Sequence, residues 1–443
     1  MQLAFAGLKL NHLSRQLFRV GIILSAIVMP LEITPAKLTL LLSIIATLLL
    51  AQFGLVKLLG AEAEIKVSSW VAATTLALML IADSVTSGML VAAYPSVAIH
   101  GTLSIIHLIA RSILILWLAD KSDLKLFERS LLWVGAAMVA FGFFQYFGDL
   151  AGIGQRITHL APNYSSSGTF VFPRVQALAH EPLYFANFLL LPLGILIVRG
   201  VKEQLSRYLT ILLVLSLALF WTTLSRGAIV GLLISLLFLI FARRSNLHSL
   251  KSLGKIIGLS VLLMTLLVGI AGLVRHRNSL GAFTGHAVNF GDQSFTSRSG
   301  SWPESLKALR THPLLGLGIG NSREFLDPLG AKAGIPNSSL PVFNNTYVTF
   351  IAEQGLLGMA LVIPLGIIVI GLIIYSVKHG FSNNAGAYAL AIIALAAQAN
   401  TFEAFVDLRT WMLIGFGLAA LRIDLESSKK IGQSLVSVTR ELF

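Results

Sequence analysis

"TTLSRGAIVGLLISLLFLIF", residues 222–241, sets the reading of the fold, because Arg226 is followed by fifteen residues without a charge. Crossing a hydrocarbon core about 30 Å thick takes roughly 20 apolar residues in helical form. Similar runs recur on both sides of this stretch, near 17–34, 37–59, 67–83, 102–119, 126–147, 183–199, 206–222, 226–242, 253–275, 356–377, 385–402 and 406–422. The 443 residues are 56% hydrophobic and only 12% charged, against about 25% charged in an average soluble domain. The expected fold is all-α, a polytopic integral membrane protein with about 12 transmembrane helices. A barrel would instead show short alternating segments. The stretch 84–101, "SVTSGMLVAAYPSVAIHG", is broken by Pro95 and two glycines and reads as re-entrant or as an interfacial linker.

Orientation follows from the basic residues of the short connections. With both termini cytoplasmic, the inner side collects twenty of them, among them Arg15, Arg19, Lys121, Lys125, Arg129, Arg199, Lys202 and Arg243. The outer short loops hold five: Lys37, Arg156, Arg174, Arg226 and Arg409. The formal charge of +13 is then mostly a topological excess facing an anionic leaflet. It is not a nucleic-acid footprint, since no soluble basic domain carries it. No signal-peptide cleavage pattern is visible, so the first span is expected to stay in the membrane. The absence of cysteine excludes disulfides and thiolate metal sites.

On this topology the chain is one transmembrane domain, 1–443, with two outer segments at 148–182 and 276–355. The second is far longer than usual between packed helices, and its Trp302 and leucines suggest order. These segments carry the polar inventory, including Arg174, His180, Glu181, Arg298, Glu304, Arg310, His312, Asn344, Asn345 and Glu353, with Arg226 at the mouth of its helix. Basic groups outnumber acidic ones, which suits an anionic substrate. No H-E-x-x-H, no Asp-x-Asp cluster and no P-loop occurs, so no metal and no cofactor is expected. A diphosphate would have to be neutralised directly by guanidinium groups.

Three stretches in this order resemble the O-antigen ligase / O-antigen polymerase superfamily of bacterial membrane glycosyltransferases. They are "TLSRGAIVG" at 223–231, "SRSGSWPESLKALRTHPLLGLGIGN" at 297–321 and "NNTYVTFIAEQGLLG" at 344–358. The resemblance implies a GT-C-like, metal-independent enzyme of the bacterial inner membrane. It would move a glycan from a polyprenyl (undecaprenyl) diphosphate carrier to an acceptor hydroxyl on the periplasmic side. It also implies that Arg226 and Arg298 bind the diphosphate, steadying charge on the leaving group. Ligases carry a His just before the Asn of the third motif; this sequence has Asn344 there, and a neutral amide cannot act as a base. That departure favours polymerisation of an O-antigen or exopolysaccharide over ligation to lipid A core or another acceptor.

Each candidate also has a structural reading. Arg226 could anchor its helix at the interface. Glu181 and Pro182 sit where a helix should start, yet Glu181 or His180 could supply the base that Asn344 cannot, with Arg174 as a third phosphate or sugar contact. Asn344 and Asn345 are the remaining catalytic candidates, and Glu353 reads as mostly structural. Gly316, Gly318 and Gly320 would either approach phosphate or only form a turn. Arg310 shares a helix surface with Glu304 and Lys307 and reads as part of a surface salt bridge, His312 ends a helix, and Arg111 pairs with Asp83 inside the bundle. A transporter or flippase of lipid-linked sugars would also have about twelve spans, and so would a noncatalytic assembly partner. A transporter would show repeats and midplane polar groups rather than an outer cap.

Overall fold

A computed structural model describes residues 2–31, 36–59, 69–168, 171–203, 205–243, 247–288, 302–328, 343–402 and 407–442. The long helices are α1 (Gln2–Val28), α2 (Ala36–Leu59), α3 (Ser69–Leu90), α4 (Pro95–Leu118) and α5 (Lys121–Leu150). After a single turn, α6 (Gln155–Thr158), come α7 (Pro182–Lys202), α8 (Arg207–Thr222), α9 (Arg226–Ala242) and α10 (Leu247–Arg275). Three short helices follow: α11 (Ser279–Val288), α12 (Trp302–Thr311) and α13 (Ser322–Leu326). The chain closes with α14 (Thr346–Lys378), α15 (Gly386–Gln398) and α16 (Leu408–Leu442). Among the described residues there is no strand.

Each of the twelve apolar stretches lies largely on one of these helices. Five of them, α4, α5, α7, α10 and α14, contain segments long and apolar enough to cross a membrane by length and composition. Shorter apolar segments lie on α2, α3, α8, α9 and α15. The best indication of the solvent comes from α10 and α14. They are the most apolar of the five, yet only 28% and 17% of their most apolar stretches are buried against the rest of the chain. Leu259, Leu262 and Leu266 on α10, and Ile363, Ile367, Ile370 and Ile374 on α14, face outward. Water would not tolerate so wide an apolar surface, whereas lipid solvates it. The protein is a multi-pass helical membrane protein.

At the centre stand α7 and α15, buried along almost their whole length. Gly227 and Gly231 bring α9 against α15, where a Cβ would meet Thr401 Oγ1 at 2.4 Å and the Ala394 carbonyl oxygen at 2.2 Å. Small residues at a crossing let backbones approach closely, which drives helix association where lipid removes the hydrophobic force.

Polar contacts define two ends of the bundle. At one, Arg15 pairs with Asp120 and Asp123 at the head of α5. There too Arg422 donates to the Leu116 and Ala119 carbonyls, and Asp424 receives the Asn384 side chain. At the opposite end lie the turns 91–94 and 222–226, the loop 151–181 and the start of α14. Two expectations are corrected. The stretch 84–101 is neither re-entrant nor a linker: α3 runs to Leu90, and Pro95 opens α4 at a first-turn position, where its missing N–H leaves nothing unpaired. Arg111 does not pair with Asp83 but bonds Ser43 and Thr47 of α2.

Candidate active site

The loop between α5 and α7 is held from beneath by two polar side chains of α5. Gln145, fully buried, donates to the carbonyls of Thr158 and Ala177, both at 2.9 Å, and accepts from the Ala177 amide at 2.8 Å. Asp149 accepts from Ser165 Oγ at 2.6 Å and from the Ser166 amide at 2.8 Å. Arg275, at the end of α10, bonds the same corner through Ser166 Oγ and the Asp149 carbonyl. A loop fixed in this way can place side chains as a helix does.

What it places is Arg174. The Arg174 amide bonds the Tyr164 carbonyl at 2.9 Å, and its guanidinium lies 5.5 Å from the centre of the Tyr164 ring. Nε and Nη2 both donate to the Thr223 carbonyl, at 3.0 and 2.9 Å. Thr223 belongs to the turn that leads into α9, where Leu224 takes a left-handed φ of 49° and Ser225 occupies the position before the helix. Arg174 therefore grips the turn from which Arg226 projects. Burial pulls the Arg174 guanidinium down to about 10; the neighbouring Tyr164 and Glu181 act against this, and the like charge of Arg226 adds to it. Burial, then the charge of Glu181, raises the Tyr164 phenol, opposed by Arg174.

Arg174, Arg226, Glu181 and Tyr164 thus share one electrostatic neighbourhood, and all four are half-buried. Glu181 precedes α7, with Pro182 at the first helical position, and its carboxylate makes no capping bond to that helix. Two guanidinium groups at the N-terminal end of α9 form an anion-favouring corner.

Asn344 and Asn345 meet this corner through a shared neighbour. Gly227 abuts Thr401, and Thr346 Oγ1 donates to the Phe402 carbonyl at 2.5 Å. Residues 401–402 therefore stand between the head of α9 and the head of α14. Asn345 is buried and caps α14, its Oδ1 accepting from the amides of Tyr347 and Val348 at 3.0 and 3.2 Å. Asn344 is half-buried with a left-handed φ of 49°, a conformation Asn tolerates better than most residues. Arg298 lies outside the described residues.

The glycine-rich turn serves a different end. Inside α14, Gly355 leaves helical geometry with φ 61° and ψ −160°. The helix break frees backbone groups, and the 313–318 turn receives them. The Leu317 and Gly318 amides donate to the Ala352 and Glu353 carbonyls, at 2.9 and 3.0 Å. In return the Leu356 and Leu357 amides donate to the Pro313 and Leu314 carbonyls, at 2.9 and 3.0 Å. Contact is close enough that a Cβ on Gly355 would sit 2.5 Å from the Leu314 oxygen, and one on Gly316 would sit 2.4 Å from the Glu353 carbonyl carbon. Glu353 accepts from Ser322 Oγ at 2.5 Å, which fixes the start of α13. His312 meets Thr311 Oγ1 at 3.0 Å, and Glu304 pairs with Lys307 at 3.6 Å.

Sequence comparison bears on this end of the molecule. Residues 211–363 match the family described as O-antigen ligase. The O-antigen ligase segment runs from α8 past the break in α14, so Arg226, Asn344, Asn345 and the 313–318 turn lie within it, while Arg174 and Glu181 come from the loop before it. No curated protein matches the chain. The match supports, in broad terms, an O-antigen ligase- or polymerase-type function.

Tyr164, Gln145 and Asp149 were missed by sequence reasoning. A glutamine and an aspartate near the end of an apolar span are the signal that could have found the last two, since polar groups in spans rarely lack a task.

Proposed function

We propose that the protein is a polysaccharide polymerase of the bacterial inner membrane, with all twelve long helices crossing it and both termini cytoplasmic. On that topology the segments 148–182 and 276–355 are periplasmic. The donor is an undecaprenyl-diphosphate-linked glycan and the acceptor is a hydroxyl of a second glycan. The observation that carries this reading is the placement of Arg174 and Arg226 together, beside Glu181, at the head of the O-antigen ligase segment.

A glycosyl diphosphate is already a good leaving group, so the protein must mainly steady developing charge and hold the acceptor in line. Arg226, with Arg298 from the long loop, neutralises the diphosphate without a metal. Arg174 fixes the Arg226 turn and adds its own charge. Glu181, whose carboxylate is not used to cap α7, takes the proton of the acceptor hydroxyl. Asn345 shapes the head of α14, and Asn344 beside it offers an amide to sugar hydroxyls.

Ligation is the second reading, supported by the family description itself. A strain deleted for the gene and complemented with wild type or Arg226→Ala separates the two on a polysaccharide gel. A ladder collapsing to one repeat unit on its anchor means polymerase. Long polymer left on the carrier lipid means ligase. A full ladder from a well-expressed Arg226→Ala protein overturns the site.

A further inference from the structure

The end of the bundle remote from Arg226 also gathers cations, and there they line a cavity. It measures about 820 Å³ and opens between the start of α5, the end of α7, the start of α8 and the 383–387 turn. Lys121, Lys125, Arg129 and Trp133 on its α5 wall follow one another at four-residue intervals, which puts them on one helical face. The first three are charged and the fourth is aromatic, with Leu132 and Ala136 beyond. On α7, which runs the other way, Lys202 and Arg199 give way to Val198 and Ile195. On α8, Ser206 gives way to Leu209 and Leu212. Apart from Leu124 and Leu205 at the charged end, the walls therefore pass from charged or polar to apolar in the same direction, from the end of the bundle toward its middle.

Five cations in this lining face two carboxylates, Glu128 and Glu203. Glu128 is held by Arg199 at 2.5 Å. The other acids at the head of α5, Asp120 and Asp123, turn to α1 and pair with Arg15. Trp133 and Tyr208 are 74% and 84% exposed at the rim, although aromatic rings of this size are usually sheltered unless they sit at a membrane interface.

We infer that this cavity binds an anionic phospholipid of the adjoining leaflet, the cytoplasmic one on the orientation proposed above. The headgroup phosphate lies among Lys125, Arg129 and Lys202, and the acyl chains run along Trp133, Leu132, Leu209 and Leu212. A free phosphate or soluble phosphate ester would match the cations but leave the apolar half without a partner. A neutral lipid would match the apolar half but leave the cations unpaired. Only an amphiphile with a negative head satisfies both, and basic pockets between membrane helices are suited to such heads. The inference does not rest on glycan transfer, and its test does not use that activity.

The test is native mass spectrometry of the full-length protein, delipidated in detergent and titrated with phosphatidylglycerol, phosphatidylcholine or glycerol phosphate. Phosphatidylglycerol should give a saturable adduct, and phosphatidylcholine should bind about ten-fold more weakly or worse. Lys125 and Arg129 are both exposed, so Lys125→Gln with Arg129→Gln should leave the fold intact and weaken phosphatidylglycerol by about thirty-fold. Lys125→Arg with Arg129→Lys, which keeps the charge, should restore most of the binding. Equal affinity for the two lipids, wild-type binding by the double glutamine variant, or displacement of phosphatidylglycerol by an equal concentration of glycerol phosphate would each overturn the proposal.

Discussion

The turn 222–227 and the turn 313–318 both contain glycine and both lie beside the start of an apolar helical run. Their backbones serve different ends. In the first, the Thr223 carbonyl is gripped by Arg174, and a second guanidinium, Arg226, stands at the mouth of α9. In the second, amides and carbonyls alike go to Ala352, Glu353, Leu356 and Leu357, across the break in α14. Glycines that could have cradled phosphate are instead the means by which two backbones touch. A glycine-rich motif announces close approach, and only its surroundings say whether a ligand or another stretch of chain is approached.

This contrast can be broken by experiment. Arg226→Ala should lower glycan transfer by about 100- to 1,000-fold with little change in thermal unfolding; a matching loss of stability would place Arg226 with the structural turn. Gly355→Ala should do the reverse, costing about 3 kcal/mol through strain and backbone collision, read as earlier unfolding in detergent. Transfer by the surviving folded fraction should stay near wild type. Glu181→Gln sharpens the first site, with an expected fall of about 100-fold if the carboxylate moves a proton. A rate within about two-fold of wild type would leave Glu181 as no more than the start of α7. Asn345→Ala removes a helix cap and should cost about 1 kcal/mol of stability.

The smallest effect concerns pH. Burial holds the Arg174 guanidinium at about 10, so it stays charged through mildly alkaline conditions. A lysine there starts from about 10.4 and would be lowered by the same burial, losing its proton as pH rises. Arg174→Lys should therefore match wild type near neutrality and fall about three-fold behind it by roughly pH 9. Parallel pH profiles would show that the charge of this residue does not matter to transfer.

Much of this was legible from residue order because lipid imposes a severe rule: a helix that meets it must be apolar around its circumference, and such runs are visible one residue at a time. The head of α9 was legible for the same reason, as a charge beside such a run stands out. What stayed hidden depends on register between distant segments. Nothing in the pattern of α4 alone says that Arg111 faces Ser43 and Thr47 rather than Asp83. Nor could the grip of Arg174 be read, since its acceptor is a backbone carbonyl, which every residue has. The 313–318 turn was half legible: its glycines announced a close approach, but the partner was a helix break marked only by Gly355 in an otherwise continuous helical pattern.

That break also makes α14 depend on a distant turn. Beyond its first turn, the stretch 356–378 is satisfied by its own helix. The carbonyls of Ala352 and Glu353 and the amides of Leu356 and Leu357 find their partners only when 313–318 arrives. Until then each is a polar group without a partner at the edge of an apolar phase, at several kcal/mol apiece. The backbone of α14 is therefore whole only where the 313–318 turn is docked against it, so one long helix depends on a segment more than thirty residues before its break.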